Sequence, residues 1–199
     1  MSIEVEAKAH ILDPEGVTNA LKSEGFSCHG TVYKDDRYYR GRNGFEFRLR
    51  IESSTPHGRS GPGPQTGGDV HAVVTHKEKQ IRDGIEYNAE SEFSVDDPEA
   101  FESLCRNLGS ERFAVKRKRA EVFRRRGVLA EVVEVQGLGW FIEVERLVSD
   151  PSGRRGAAQE IRDILSASGI GPDAIERRTY LSMLGFRDSQ PREMDAGEL

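Results

Sequence analysis

The stretch IEVEAK, residues 3–8, decides the fold, because apolar and charged residues alternate strictly along it. A period of two is typical of a β-strand with one apolar and one charged face. Glu4 and Glu6 share the charged face, where carboxylates two residues apart lie roughly 6–7 Å from each other. They repel unless a cation or a basic side chain lies between them, and a divalent metal with oxygen ligands is one physical answer. A solvated strand face is the other.

The same alternation returns in later segments. Residues 45–52 place apolar side chains on one face and charged ones on the other, and further strands are predicted at 31–40, 70–79, 85–95, 113–126, 128–135 and 140–147. Charged residues two apart are Glu4/Glu6/Lys8, Arg48/Arg50, Lys77/Lys79, Glu90/Glu92, Lys116/Lys118 and Glu143/Glu145. Because such rows repeat on several strands, they call for one common explanation.

Two helices begin with the same chemistry. Asp13-Pro14-Glu15 and Asp97-Pro98-Glu99 each combine an N-capping aspartate with a proline that suits the first turn. The order strand, helix, strands therefore occurs twice, and this indicates two similar halves. Further helices are predicted after Gly153 and over residues 173–184.

One domain accounts for residues 1–186. Residues 53–69 are rich in Gly, Pro, Ser and Thr without apolar periodicity, so they predict a flexible loop between two strands. The polar tail, residues 187–199, is expected to be disordered.

Composition excludes several classes of protein. The chain has 199 residues, of which 36% are hydrophobic and 32% charged, and its net charge of -5 argues against a dedicated nucleic-acid binder. Its two cysteines provide no disulfide framework and fit a reducing cytosol. No apolar run approaches membrane-spanning length. We expect a cytoplasmic protein without nucleic-acid or membrane partners, and the oligomeric state stays open, with a homodimer among the options.

The charged rows have two possible orientations in a closed barrel. If they face outward, apolar side chains fill the barrel. If they face inward, the barrel is hollow, and the predicted helices cover its apolar outside. The helices favour the second arrangement, because each must bury an apolar stripe. Lys and Arg match phosphate oxygens, and Glu holds Mg²⁺ or Mn²⁺, so a bound metal and polyanion would offset the cost of the enclosed charges. The pattern alone leaves both orientations open.

The motifs also resemble those of the CYTH, or triphosphate tunnel metalloenzyme, family, and within it the class IV adenylyl cyclase branch. The resemblance spans about residues 1–184. The matching blocks are Glu4-x-Glu6-x-Lys8, Phe47-Arg48-Leu49-Arg50, Thr75-His76-Lys77, Glu90-x-Glu92, Asp96-Asp97-Pro98-Glu99, Lys116–Arg119, Gly137-Leu138-Gly139-x-Phe141, Glu143-x-Glu145 and Arg178-Thr179-Tyr180-Leu181. A single Glu-x-Glu-x-Lys is a weak signal, whereas the blocks in order are a specific one.

The resemblance implies an α+β fold with an eight-stranded antiparallel tunnel whose interior is charged. It implies that basic residues bind a triphosphate and acidic residues bind Mg²⁺ or Mn²⁺. The implied metal ligands are Glu4, Glu6, Glu90, Glu92, Glu131, Glu143 and Glu145, where Glu90 and Glu92 are alternatively groups that orient basic side chains. The implied substrate-binding residues are Lys8, Arg48, Arg50, Lys77, Lys116, Lys118 and Arg119. The implied catalytic set is Glu4, Glu6, Lys8 and Lys77.

Two departures from the family pattern matter. Val133 stands where the family often has an aspartate, so a metal ligand is either missing or supplied by Glu131. The register of the basic strand is ambiguous, because Lys116 and Lys118 point to one face while Arg117 and Arg119 point to the other.

The implied reaction is phosphoryl or nucleotidyl transfer. A class IV adenylyl cyclase would convert ATP to cyclic AMP and pyrophosphate, and a triphosphatase would hydrolyse thiamine triphosphate, inorganic triphosphate or a nucleotide. A non-catalytic polyphosphate-binding barrel is the alternative from a different class, and Val133 is the feature that favours it.

Overall fold

The computed structural model describes residues 3–55, 70–187 and 192–194. The elements in chain order are β1 (Ile3–His10), α1 (Pro14–Ser23), β2 (Ser27–Arg40), β3 (Glu46–Thr55), β4 (Val70–Arg82), β5 (Ile85–Ser94), α2 (Pro98–Asn107), β6 (Glu111–Arg125), β7 (Val128–Val135), β8 (Gly139–Val148), α3 (Arg154–Ala167), α4 (Tyr180–Met183) and β9 (Arg192–Glu193). Asp13 and Asp97 accept backbone hydrogen bonds at the starts of α1 and α2, as the sequence predicts.

Strands β1 to β8 form a closed antiparallel barrel. The strand order is β3-β2-β6-β7-β8-β1-β5-β4, and a further pairing of β3 with β4 joins the two ends. The predicted fold is confirmed. The order strand, helix, three strands occurs twice, from β1 to β4 and from β5 to β8, and this agrees with the two halves expected from the sequence.

The main hydrophobic core lies outside the barrel wall. The outward side chains of β1, such as Val5 and Ala7, are buried together with Leu21 of α1 and Ile161 and Leu165 of α3. A second cluster lies on the outer face of β2, β3 and β4, with Phe101 of α2 packed against it. Because the helices bury the apolar outer rows, the opposite rows of the same strands must face the lumen.

A small apolar cluster lies inside the barrel. Ala120 of β6, Val133 of β7 and Phe141 of β8 lie side by side across neighbouring strands, and Tyr180 of α4 packs on them. Ala120 shares the face of Lys116 and Lys118, so the cluster belongs to the lumen row. Val133 thus occupies an interior apolar contact.

Three segments depart from the sequence-based predictions. The helix expected over residues 173–184 is present only as a 3-10 turn at Pro172–Ala174 and as α4. Between them the prediction is wrong, because Ile175 bridges to Ala9 in extended conformation and the Glu176 amide donates to the Lys8 carbonyl. In the tail, β9 pairs in parallel with β4 and Met194 is buried, so disorder is wrong there. Of the loop predicted at 53–69, residues 53–55 extend β3, and the rest lies outside the described residues.

The helices that the structure describes lack the combination of length and apolarity needed to cross a membrane.

We expect Gly84→Ala to destabilise the fold more than Gly127→Ala. Both glycines take the second position of a two-residue hairpin loop with positive φ, +79° and +81°. An added Cβ at Gly84 would lie 2.7 Å from Cγ2 of Ile175, whereas none of the described atoms lies within 4 Å of the Cβ position at Gly127. The backbone cost of about 1–2 kcal/mol is common to both.

The contact with the stiff Ile175 side chain should add roughly 1–3 kcal/mol at Gly84 alone. The free energy of unfolding, measured by urea denaturation, checks this difference. Equal losses in the two variants would contradict the packing of residue 175 on this turn.

Candidate functional site

The lumen is a charged cavity of about 340 Å³. This volume falls within the range of small-ligand sites. Its walls include side chains from all eight barrel strands together with α4. The charged residues that line it are Glu4, Glu6, Lys8, Lys34, Glu46, Arg48, Arg50, Lys77, Lys79, Glu86, Glu90, Glu92, Lys116, Lys118, Glu131, Glu143 and Glu145. The orientation that the sequence pattern left open is therefore inward.

Lys77 lies between two carboxylates on one wall. Its Nζ is 2.7 Å from Glu4 Oε1 and 2.5 Å from Glu90 Oε1, and Asn88 Nδ2 donates to Glu4 at 3.0 Å. Burial would raise the pKa of Glu4, but Lys77 and Asn88 outweigh it and lower the pKa to about 2. Glu4 is therefore ionised and already oriented before any ligand binds.

Glu6 and Glu145 form the part of the cavity with excess negative charge. They are direct neighbours in the register of β1 and β8. Burial, followed by the charges of Glu4 and Glu86, raises the pKa of Glu6 well above its usual range. Burial and Glu4 raise the pKa of Glu145 to about 7. Burial and neighbouring carboxylates thus make Glu6 and Glu145 costly to ionise, and a bound cation would relieve that cost.

This donor chemistry fits a divalent metal. Hard cations such as Mg²⁺ prefer carboxylate oxygens, and Glu143 Oε1 is buried without a hydrogen-bond partner among the described residues. Within residues 3–55, 70–187 and 192–194, no three acidic, histidine or cysteine side chains already converge at metal-binding distance. A metal would therefore draw these carboxylates together on binding.

Asp36 organises the basic side of the cavity. It is fully buried and accepts two hydrogen bonds from Arg50, at 2.6 and 3.0 Å, while Lys116 Nζ lies 3.0 Å away. Burial alone would raise the pKa of Asp36, but Arg50 and Lys116 hold it well below its usual range. Asp36 thus fixes two cationic side chains in the lumen.

Lys118 completes this basic side. Its Nζ lies 2.6 Å from Glu143 and 3.7 Å from Glu131, and Lys34 forms an ion pair with Glu131. Glu131 faces the lumen, as the sequence suggested, but two lysines surround it. It is consequently a weaker candidate metal ligand than Glu6 or Glu145.

Arg48 retains hydrogen-bonding capacity. Its Nη2 donates to Thr75 Oγ1 at 2.9 Å, and Thr75 in turn donates to Glu92 at 2.9 Å. The Nε of Arg48 is buried without a partner among the described residues. A buried unpaired guanidinium donor is costly, so this atom is suited to an incoming anion.

Tyr180 of α4 lines the lumen. Its ring lies 5.0 Å from Phe141 in an edge-to-face arrangement, and the ammonium groups of Lys8, Lys116 and Lys118 lie 5.6, 5.0 and 5.9 Å from its centroid. Burial, then the charge of Glu143, raises the pKa of the Tyr180 hydroxyl well above its usual range, so this group stays protonated.

The predicted site residues come together in the lumen with one exception. Arg119 is exposed on the outer face, opposite Tyr33 and Glu134, so we remove it from the substrate-binding set. The strand register explains the error, because Lys116 and Lys118 take the lumen positions and exclude Arg117 and Arg119 from them. Glu92 lines the cavity but is largely exposed.

Sequence reasoning missed several lumen residues. Lys34 and Asp36 alternate on β2 but carry opposite charges, so a search for like charges passes over them. Glu86 and Asn88 continue the row of Glu90 along β5, and that spacing was the available signal. Tyr180 belongs to the last matching block, yet nothing in its sequence context indicates that it enters the barrel.

Comparison with known proteins gives relatives over nearly the whole chain. No family model matches it. A Methanocaldococcus jannaschii protein named "Putative adenylate cyclase" is 29% identical over 189 residues, which are 92% of this chain and 99% of the relative. The solved structure of PH1819 from Pyrococcus horikoshii OT3 is 25% identical with a TM-score of 0.76, covering 91% of this chain and 97% of that one.

A plant protein shares the fold at greater distance. It comes from Hippeastrum, is described as a putative adenylyl cyclase with a dominant triphosphatase activity, and is 17% identical with a TM-score of 0.59 over 94% of this chain and 97% of that one. These likenesses agree with the family resemblance drawn from the sequence motifs and with the tunnel fold that it implies.

We expect Asp36→Asn to destabilise the protein by about 3–5 kcal/mol, because it leaves Arg50 and Lys116 buried without their counter-charge. The matched control is Asp35→Asn, whose side chain lies on the outer face beside Arg37 and Arg117 and is 26% exposed. Removing a partly exposed ion pair of this kind lowers the free energy of unfolding by about 1 kcal/mol or less. Denaturant unfolding of both variants tests the difference, and equal stabilities would contradict the buried placement of Asp36.

Proposed function

We propose that this chain is a metal-dependent enzyme of the triphosphate tunnel type that acts on a triphosphate. One observation carries the proposal. A closed barrel encloses a wall of lysines and arginines beside a group of carboxylates that lack enough counter-charge. Few ligands satisfy both sides at once, and a phosphate chain with a divalent metal is the simplest one.

The basic residues would hold the phosphate oxygens. Arg48 and Arg50 can each offer a planar pair of donors, and Arg48 has an unpaired Nε to give. Lys8, Lys77, Lys116 and Lys118 supply compact positive charge from other strands. Their present carboxylate partners would exchange for phosphate oxygens, so the cations need little movement before the substrate binds.

Mg²⁺ or Mn²⁺ would be held by Glu6 and Glu145, with Glu4 and Glu143 beside them. When bound, the ion would neutralise charge on the phosphoryl oxygens. The chain's own residues supply position and charge. Glu4 is fixed by Lys77 and Asn88, and Lys118 is fixed by Glu143 and Glu131. Catalysis by such a site is mainly positioning and electrostatic stabilisation.

The first candidate reaction is cyclisation of ATP. The ribose 3′-hydroxyl would lose its proton to water as its oxygen forms a bond to the α-phosphorus, the bond from that phosphorus to the bridging oxygen would break, and pyrophosphate would leave. The name of the Methanocaldococcus jannaschii relative supports this order of preference. The lysine and arginine wall accounts for the triphosphate part of the substrate.

Hydrolysis of a triphosphate is the second candidate. The charged lining recognises features that ATP, thiamine triphosphate and inorganic triphosphate share, so it fits all three. A third candidate, a barrel that binds polyphosphate without turnover, is favoured by Val133, which replaces a family carboxylate with an apolar contact.

Product analysis separates these three candidates. Purified protein is incubated with ATP, thiamine triphosphate or inorganic triphosphate, each with Mg²⁺ or Mn²⁺, and the products are resolved by chromatography. Cyclic AMP with pyrophosphate supports the cyclase, and orthophosphate supports the hydrolase. Binding without any product supports the non-catalytic barrel. Neither binding nor turnover in any mixture would contradict the proposed function.

We expect Glu6→Gln to lower turnover by about 10²–10³-fold, because the amide removes the negative charge that would hold the metal. Glu134→Gln is the control, since Glu134 is exposed on the outer face of the same barrel. Initial rates at saturating Mg²⁺ are measured for both variants. Full activity of Glu6→Gln would remove this residue from the metal site.

A further inference from the structure

Two leucines line the charged cavity without belonging to an apolar core. Leu129 of β7 and Leu147 of β8 lie in the cavity wall, and neither belongs to the hydrophobic clusters that the described residues form. Leu147 is 58% exposed. Single exposed leucines are ordinary on protein surfaces, but neighbouring apolar side chains at the edge of a polar cavity mark a place where a ligand can bind.

Strand register places both leucines at the same end of the lumen. Along β8, the residues on the lumen face are, in order, Phe141, Glu143, Glu145 and Leu147. Leu129 lies directly across from Glu145 on β7, so Leu147 is its diagonal neighbour on the same face of the sheet. Such diagonal positions are roughly 7–8 Å apart, within reach of long side chains. The two leucines therefore form one apolar edge, which we call the leucine rim.

The two ends of this row on β8 differ in what covers them. At one end Phe141 is 2% exposed, because Val133 and Tyr180 pack against its ring. At the other end, the clusters of described residues provide no comparable apolar cover for Leu147. The protein's own side chains fill the first end, whereas the leucine rim is accessible to a ligand.

The leucine rim directly borders the charged lining. Leu147 pairs with Glu4 across β8 and β1, and Leu129 pairs with Glu145 across β7 and β8. A ligand that fills this end of the cavity would thus contact leucines with one part and charged side chains with the other. Burying apolar surface is favourable only for a ligand that has apolar surface of its own, because a charged group loses hydration beside leucine without gaining hydrogen bonds.

An organic triphosphate has both of these parts. Its phosphate chain is anionic, and its ring system has apolar faces. Inorganic triphosphate has only the anionic part, so the leucines would contribute nothing to its binding. The leucine rim therefore separates two substrate classes that the charged lining treats alike.

We propose that Leu129 and Leu147 form the subsite for the organic group of the substrate and select an organic triphosphate over inorganic triphosphate. This inference rests on the proposed function, and it adds the substrate class. The ring system packs on the leucine rim, and the phosphate chain extends into the charged lumen. ATP and thiamine triphosphate share this chemistry, so the test includes both.

A variant that combines Leu129→Ser with Leu147→Ser tests the subsite. ATP, thiamine triphosphate and inorganic triphosphate are each titrated into the protein by calorimetry, with EDTA present to prevent turnover. Loss of the leucine contacts predicts roughly ten- to hundredfold weaker binding of the organic triphosphate that the unmodified protein prefers. The affinity for inorganic triphosphate should stay unchanged, which also shows that the barrel is intact. Leu104→Ser is the matched control, since Leu104 of α2 is 53% exposed outside the cavity.

Methyl NMR supplies a reading that a purely structural role would not change. In protein with isotope-labelled leucine methyl groups, we expect the preferred organic triphosphate to shift the signals of Leu129 and Leu147. Inorganic triphosphate should leave both signals in place. The single variants Leu129→Ser and Leu147→Ser assign these signals.

The outcomes separate this inference from the proposed function. If the double variant binds all three ligands as tightly as the unmodified protein, or loses affinity for all three equally, the leucine subsite is wrong while the proposed function stands. The same holds if the unmodified protein prefers inorganic triphosphate to both organic ones. If the unmodified protein binds none of the three, and none is turned over with Mg²⁺ or Mn²⁺, both fall together.

Discussion

The structure depends on the neutralisation of charges that a closed sheet encloses. Burying an ion is costly unless an opposite charge and hydrogen bonds lie close by. In this barrel several lysines and arginines meet that requirement by pairing with carboxylates from other strands, as Lys77 does with Glu4 and Arg50 with Asp36. The apolar rows of the same strands are then free to face outward and bind the helices. Interior charge and exterior core are two results of one alternating pattern.

The balance of charges is uneven along the lumen, and this unevenness gives the site its chemistry. Asp36, Arg50 and Lys116 neutralise one another's charges, and their ion pairs hold the three side chains in position. Around Glu6 and Glu145, burial and the neighbouring carboxylates raise the pKa of both groups. Under the proposed function, the first region would bind the phosphate chain and the second would hold the added cation.

Much of this arrangement could be predicted from the sequence. Strict alternation fixes which side chains share a face, so Glu4, Arg48, Lys77 and Glu143 were assigned together, and Asp-Pro-Glu marks two helix starts. The sequence alone could not show whether the charged face points into the barrel or out of it. Charged and apolar side chains alternate with a period of two in a hollow barrel and in a filled one. Tyr180 could not be predicted, since its entry into the lumen depends on the extended pairing of Ile175 with Ala9, a contact between distant parts of the chain.

The pairing of Asp36 with Arg50 and Lys116 also affects how the cavity would take up an anion. Because the protein carries its own internal counterion, a phosphate chain of the proposed kind would not meet a bare cationic surface but would compete with a tethered carboxylate for Arg50 and Lys116. Recognition would then be an exchange of anions inside a cavity where dissolved salt screens charges only weakly. Selectivity would then depend on how well an anion competes with Asp36, whose two carboxylate oxygens both accept hydrogen bonds from Arg50.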